Sequence, residues 1–209
     1  MTTLRALVPF GVLAACAVAL SGCALLSGGK PANLYRFGQM IENQPAAAPA
    51  PAAAAVPVFR APTGFPREAA GDRILTVQGS KAAYIAETRW VAPAPILFGQ
   101  AVTAAFDASP GPVRLVSRGE PGQAQYVLRL DVRAFEARYD RGAKAPPTVV
   151  VRVNAVLSRR GENVREQMFE AQAPAGENRV TAIVAAYDQA VAQVLGQVVA
   201  WTNAEALPV

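Results

Sequence analysis

Two stretches of apolar–polar alternation constrain this chain most. In residues 124–134, Tyr126, Leu128, Leu130 and Val132 fall on one side and Arg129, Asp131 and Arg133 on the other. Residues 148–158 repeat the pattern, with Val149, Val151, Val153, Ala155 and Leu157 set against Arg152, Asn154 and Ser158. A period of two is the signature of strands that bury one face and expose the other. The segment Arg159-Arg160-Gly161-Glu162-Asn163 reads as a turn, and Val164 to Ala171 as the return strand. Shorter strands are expected at 74–77, 83–86 and 113–116. A helix is expected at 93–108, with Pro93 and Pro95 in its first turn and Phe98, Val102, Ala105 and Phe106 on one face. A second runs from Asn178 to Asn203, with Val180, Ile183, Val184, Tyr187, Val191, Val194, Leu195, Val198 and Trp201 on one stripe. The expected fold is α/β. It is a compact sandwich with a central mixed, largely antiparallel sheet of about five strands and two main helices. No phosphate loop or GxGxxG is present, which excludes a βαβ nucleotide-binding fold.

The N-terminus carries a different signal. One positive charge, Arg5, precedes fifteen uncharged and mostly apolar residues from Ala6 to Leu20. That is short for a bilayer span but has the length and flanks of a secretory signal peptide. It ends in Leu20-Ser21-Gly22-Cys23, which resembles a bacterial lipobox. Cys23 supplies the sulfur for diacylglyceryl modification, and its new α-amino group takes a further acyl chain such as palmitate. Cys16 would leave with the signal, and the mature chain would have no free thiol. Several acyl chains on one residue anchor far better than one, because each buried methylene adds about 0.8 kcal/mol. The alternative is cleavage by the general signal peptidase, with Cys23 uninvolved. Ala24 resembles the small neutral residue that permits sorting to the outer membrane in Gram-negative bacteria, where an Asp would favour inner-membrane retention. No later segment is expected to be long and apolar enough for a second span.

The expected organisation is therefore a signal peptide over 1–22, a lipidated tether with a short strand (Leu34 to Phe37) and an Ala/Pro-rich loop over 23–72, and a globular domain over 73–209. Between Pro45 and Pro57 lie eight alanines, four prolines and one valine. Repeated proline forbids a continuous helix, so this reads as an extended loop reaching to about Pro66.

Composition narrows the chemistry. The chain contains no histidine, and its two cysteines are Cys16 and Cys23. The commonest general base and the Ser-His and Cys-His pairs are thereby removed, as are cysteine-rich zinc sites and disulfide frameworks. No cofactor or metal is implied. Ser80-Lys81, Glu162 and Glu166 are the residues a hydrolase could use, but their spacing marks no nucleophile with its base. The net charge of +5 suits an anionic surface or an acidic protein partner as well as a merely solvated one. No basic run interleaved with aromatics points to nucleic acid.

Several of these features occur together in one family. The lipobox is followed by Leu34-Tyr35-Arg36-Phe37, then Ile74-Leu75-Thr76-Val77, then Ala83-Tyr84-Ile85-Ala86-Glu87-Thr88-Arg89-Trp90 running into a proline-started helix. A long Ala/Val helix carrying Trp201 closes the chain. The whole resembles the ABC-type transport auxiliary lipoprotein family, which includes PqiC-like lipoproteins, and the Tyr-x5-Trp element from Tyr84 to Trp90 is its most specific part. The Ala/Pro insert departs from the pattern. The resemblance implies a role without a reaction. Such a lipoprotein would sit on the periplasmic face of the outer membrane and dock an MCE-type system, in which a periplasmic MCE-domain protein, an inner-membrane permease and an ATPase move lipids between membranes. A homo-oligomer around an MCE tube is conceivable. The alternative is a stand-alone structural or assembly-type envelope lipoprotein. Trp90, Arg129 and Arg133 are the candidate partner contacts, together with Arg138 and Arg141. The blander reading makes Trp90 a core anchor for the helix start and the arginines a solvated sheet face and loop.

Overall fold

Residue 135 is the pivot of the molecule, and its orientation comes from an irregularity in one strand. A computed structural model describes residues 31–48, 55–116, 124–159 and 162–206, with side chains in the last stretch from residue 165 onward. The described residues from Asn33 onward form one compact unit. In chain order its elements are β1 (Asn33–Tyr35), α1 (Gln39–Glu42), β2 (Val56–Arg60), β3 (Arg73–Gln78), β4 (Lys81–Trp90), α2 (Ala94–Asp107), β5 (Val113–Val116), β6 (Tyr126–Arg138), β7 (Thr148–Arg159), β8 (Glu162–Pro174) and α3 (Val180–Glu205).

The strands form one eight-stranded mixed sheet. Along one edge of β6 run β7 and then β8, both antiparallel. The other edge of β6 is shared. Its first residues pair in parallel with β2, which carries β5 beyond it, and its last pair in parallel with β3, followed by β4 and β1. Gly64 bridges the gap between them by exchanging backbone bonds with Leu130 and Val132. A Cβ at Gly64 would displace the Asp131 carboxylate from its present position.

In β6 the alternation seen in the sequence holds through Val132, and Tyr126, Leu128, Leu130 and Val132 are buried. Val132 then pairs with Val153 and Ala134 with Arg152, which leaves Arg133 as the extra residue of a β-bulge. Beyond the bulge the phase reverses, and Phe135 and Ala137 become the inward residues. Phe135 then meets Tyr187 at 4.9 Å between ring centroids, Phe37 at 5.1 Å and Phe65 at 5.4 Å, with Trp90 and Phe98 each at 6.5 Å.

Both long helices pack on this inner face. The stripe of α3 is buried as its periodicity requires, from Ile183 through Tyr187, Val191, Val194 and Leu195 to Val198. The expectation that no later segment is apolar enough to span a membrane is corrected. α3 has 26 residues and a mean hydropathy of 1.3 in its most apolar window, enough by length and composition, and here its stripe is covered by the sheet.

The sheet has more strands than the five expected, largely because the segment to Pro66 is not all loop. Val56 and Val58 are fully buried in β2. Pro57 is tolerated because its carbonyl accepts from Gln125, which turns its nitrogen toward the side where β6 has not yet begun. The N-terminal segment is fixed too. Gly38 takes a left-handed φ of 94° against Ala101. Asp188 of α3 accepts from the backbone N–H groups of Gly38 (2.7 Å) and Met40 (3.2 Å), capping α1 from 150 residues away in the chain.

Two outcomes test this account. Arg133→Ala should change stability by no more than about 0.5 kcal/mol, as an exposed substitution does. Phe135→Ala, which empties the point where the aromatic rings converge, should cost about 3–5 kcal/mol. Urea midpoints of the two variants decide it, and equal stability for Phe135→Ala and Arg133→Ala would refute the central role of Phe135. Asp188→Ala should cost about 1–2 kcal/mol, the value of a lost cap, and should raise amide exchange in residues 38–42 selectively.

Candidate functional site

The polar face of β6, β7 and β8 is the first candidate. Register sets Arg129 beside Val156 and Glu166, Asp131 beside Asn154 and Met168, and Arg152 beside Glu170. The face is a ladder of mixed sign. Arg129 Nε lies 3.3 Å from Asp131 Oδ2, Arg138 Nη2 3.5 Å from Asp140, and Arg152 donates to Glu170. Asn154 Nδ2 donates to Glu166 at 2.7 Å. The Glu170 carboxyl is held below its ordinary range, first by a hydrogen bond from Gln172 and then by one from Arg152. Glu136 is pushed up, because burial outweighs the nearby Arg138 and Arg152. The outward-facing Val150 and Val156 are nearly inaccessible.

Arg129 and Arg133 do share this face, as their spacing predicts. Arg129 is 57 % exposed despite its pairing with Asp131. Arg133 projects from the bulge and makes no ion pair among the described residues. Arg138 is engaged by Glu136 and Asp140. Arg141 donates to the Pro146 carbonyl.

The Trp90 expectation resolves differently. Trp90 is 2 % exposed and meets Phe37 edge-on at 5.0 Å and Tyr187 at 5.2 Å. A side chain so enclosed offers no surface to a partner, so the contact reading is corrected to the core one. A register shift separates it from Tyr84. Tyr84 pairs with Leu75 and Arg89 with Arg73, so several residues of β4 oppose few of β3, and Glu87 there takes a φ of 54°. A six-residue separation therefore does not put Tyr84 and Trp90 on one face. Tyr84 instead lies under the Arg73 guanidinium at 3.9 Å and donates to the Glu68 carbonyl.

Ser80 and Lys81 sit at the β3–β4 turn, near the Arg138 end of β6, whereas Glu166 lies at the level of Arg129. Nine residues of strand separate these levels, roughly 25–30 Å at the usual rise. The structure does not bring them together. Cys23 and Ala24 lie outside the described residues, as does the side chain of Glu162.

Sequence reasoning missed a second concavity. A groove of about 770 Å³ opens between α2 and the ends of β2 and β5, lined by Phe59, Pro62, Pro95, Ile96, Leu115 and Val116 among others. The Arg60 guanidinium lies over Gly99 and donates to Thr63 Oγ1 at 3.3 Å. Its signal was the alternation in Val56-Pro57-Val58-Phe59-Arg60, hidden by the prolines around it.

The fold recurs in solved structures. Protein XCC0632 of Xanthomonas campestris matches with a TM-score of 0.68 at 24 % identity, over 83 % of this chain and 96 % of that one. An uncharacterized protein matches at 0.64 and 14 % identity, over 82 % and 99 %. The hypothetical protein CT253 of Chlamydia trachomatis matches at 0.51 and 10 % identity, over 73 % and 98 %. These likenesses show the fold alone. No curated protein sequence matches this chain. The model of the ABC-type transport auxiliary lipoprotein component, by contrast, matches residues 39–199, from the start of α1 into the last turns of α3. The chain belongs to the ABC-type transport auxiliary lipoprotein family.

Proposed function

We propose that this chain is a lipid-anchored lipoprotein on the periplasmic face of the outer membrane, where it docks the MCE-domain protein of an ABC system that moves lipids between the two membranes. The carrying observation is the family match over 39–199, which makes the chain an auxiliary lipoprotein of ABC-type transport. The Leu20-Ser21-Gly22-Cys23 sequence supports the anchor and Ala24 the outer-membrane address. The protein acts by binding and not by catalysis. Energy comes from the partner ATPase, and no cofactor is needed. The dock is the ladder on β6–β8, with Arg129 and Arg133 as its exposed cations. Exposed charges of this kind set encounter rate and register more than raw affinity.

Cys23→Ala should release the protein from membranes into the periplasmic fraction, and Ala24→Asp should move it toward the inner membrane in a host with Asp-type retention. Fractionation and intact mass check both, and a Cys23→Ala protein that still floats with outer membranes refutes the anchor. Reversing Arg129 and Arg133 together to Glu should weaken capture of the MCE-domain partner by roughly tenfold or more, the scale of a lost interface contact pair. The circular dichroism spectrum should not change. Ser80→Ala and Lys81→Ala should each leave envelope-barrier function intact. Loss of function from one of these, with fold and partner complex preserved, would overturn the non-catalytic reading.

A further inference from the structure

The sheet ends in three outer strands, and one of them is unlike the others. β1 has three residues and β5 four, whereas β8 has 13. Among the described residues β8 pairs with β7 alone. Natural sheets keep such edges short or blunt them with proline, lysine or a bulge, because an open edge templates another strand. From Arg165 to Ala173 this edge has no proline, no lysine and an unbroken register with β7.

The period of two decides which main-chain groups are open. Ala175 N–H donates to the Pro147 carbonyl at 2.9 Å, so Ala173, Ala171, Phe169 and Gln167 also turn their N–H and C=O groups toward β7. The alternate residues Glu166, Met168, Glu170 and Gln172 turn theirs to the open edge. On the inner face beside this edge, Phe169 meets the half-buried Trp201 of α3 at 5.8 Å, and Arg165 Nε donates to Glu205 at 2.8 Å. These two contacts turn one flank of α3 toward β8. Gln197 and Ala204, the neighbours of Trp201 at helical spacing, are exposed and uncharged.

We propose that β8 pairs antiparallel with β8 of a second copy of this chain, across a two-fold axis beside Phe169. The register follows from the sequence. Full pairing of the four open residues sets Glu166 opposite the partner's Gln172 and Met168 opposite the partner's Glu170, with Phe169 facing the partner's Phe169. No like charges then stand opposite each other. A slip of two residues either way sets Glu170 against the partner's Glu166 or the partner's Glu170, which is unfavourable. The charges on this edge therefore select the register that also pairs the most backbone. Each copy donates four N–H groups, and the eight bonds that result fall within the usual range of about ten, give or take five, for a stable interface. The two Phe169–Trp201 pairs flank the axis and supply an aromatic centre of the kind that carries most binding energy. A two-fold closes on itself, so both open edges are consumed and no fibre grows. The pairing leaves the outer face of β6–β8 uncovered, so it stands independently of the dock on that face.

The test is sedimentation equilibrium of the mature full-length chain in density-matched detergent. The wild type should be a dimer at about 100 μM. Met168→Pro removes an N–H that β7 does not use, so the circular dichroism spectrum should be preserved while dimerisation weakens at least about tenfold. Gln172→Glu sets carboxylates opposite each other and should weaken the dimer, whereas Gln172→Lys sets a cation opposite the partner's Glu166 and should tighten it, each by roughly threefold. If Met168→Pro fails to fold, the opposite signs of the two changes at position 172 decide. A wild type that stays monomeric overturns the proposal, and loss of its MCE-domain capture in Met168→Pro would then identify a partner's strand as the occupant of the edge. A dimer or larger assembly that keeps its mass in folded Met168→Pro, or that responds alike to Gln172→Glu and Gln172→Lys, overturns it as well.

Discussion

Everything in this domain depends on the inward turn of Phe135. Strict alternation from Tyr126 would aim residue 135 at solvent, and one unpaired residue at Arg133 reverses the phase. The reversal lets a single ring touch side chains from β1's continuation (Phe37), the 61–66 segment (Phe65), β4 (Trp90), α2 (Phe98) and α3 (Tyr187). Edge-on and tilted aromatic pairs add about 0.5–1.5 kcal/mol each beyond the area they bury. The energy matters less than the connectivity, since elements far apart in sequence are packed against one residue. Tyr187 adds a polar tie by donating its hydroxyl to the Leu75 carbonyl, and its burial drives its acidity far down. Alternation already places Arg133 outward, and the bulge leaves it without a cross-strand residue opposite, so the irregularity that seats Phe135 also singles out one cation of the outer face.

The N-terminal segment is bound into this core by two independent means. Phe37 is 1 % exposed and contacts both Trp90 and Phe135. Two residues later Asp188 caps α1. Any force transmitted through a tether attached before Asn33 therefore meets a parallel β1–β4 pairing, a buried ring and a charged cap, in that order. A tether that entered through an unattached loop would leave the domain free to rotate. One that enters through a packed strand does not.

Most of the elements were legible in the sequence, because period-two and period-3.6 patterns report burial directly. β6, β7, α2 and α3 appear where Tyr126 to Val132, Val149 to Leu157, Phe98 to Phe106 and Ile183 to Val198 place them. Three features were not legible, each for a physical reason. β2 was masked by prolines whose cost depends on which edge of the strand is paired, and that is a property of the neighbouring strand. The reversal at Arg133 is invisible because a bulge changes phase without changing composition. The burial of Trp90 followed from a similar irregularity in β4, where Glu87 takes a left-handed φ, so a six-residue spacing did not mean a shared face. Of the candidate site, the arginine pair on β6 was readable by alternation. The carboxylates facing it were not, because Glu166 and Glu170 reach the same face only through β7.

That intervening strand determines what the polar face can discriminate. Arg152 and Asn154 on β7 engage Glu170 and Glu166 on β8, while Arg129 and Asp131 engage each other along β6. Charges of both signs thus recur across the strands at the sheet's spacing of about 4.8 Å, which is shorter than a Debye length at physiological salt. At that spacing a partner with a uniform charge gains from one row and loses to the next. The rows are uneven, with Val156 neutral between Arg129 and Glu166 and a single charge in the row of Asp131, Asn154 and Met168, so only a partner that matches this pattern meets opposite charges throughout. Arg133, which makes no ion pair among the described residues, adds a further positive charge at a point fixed by the bulge.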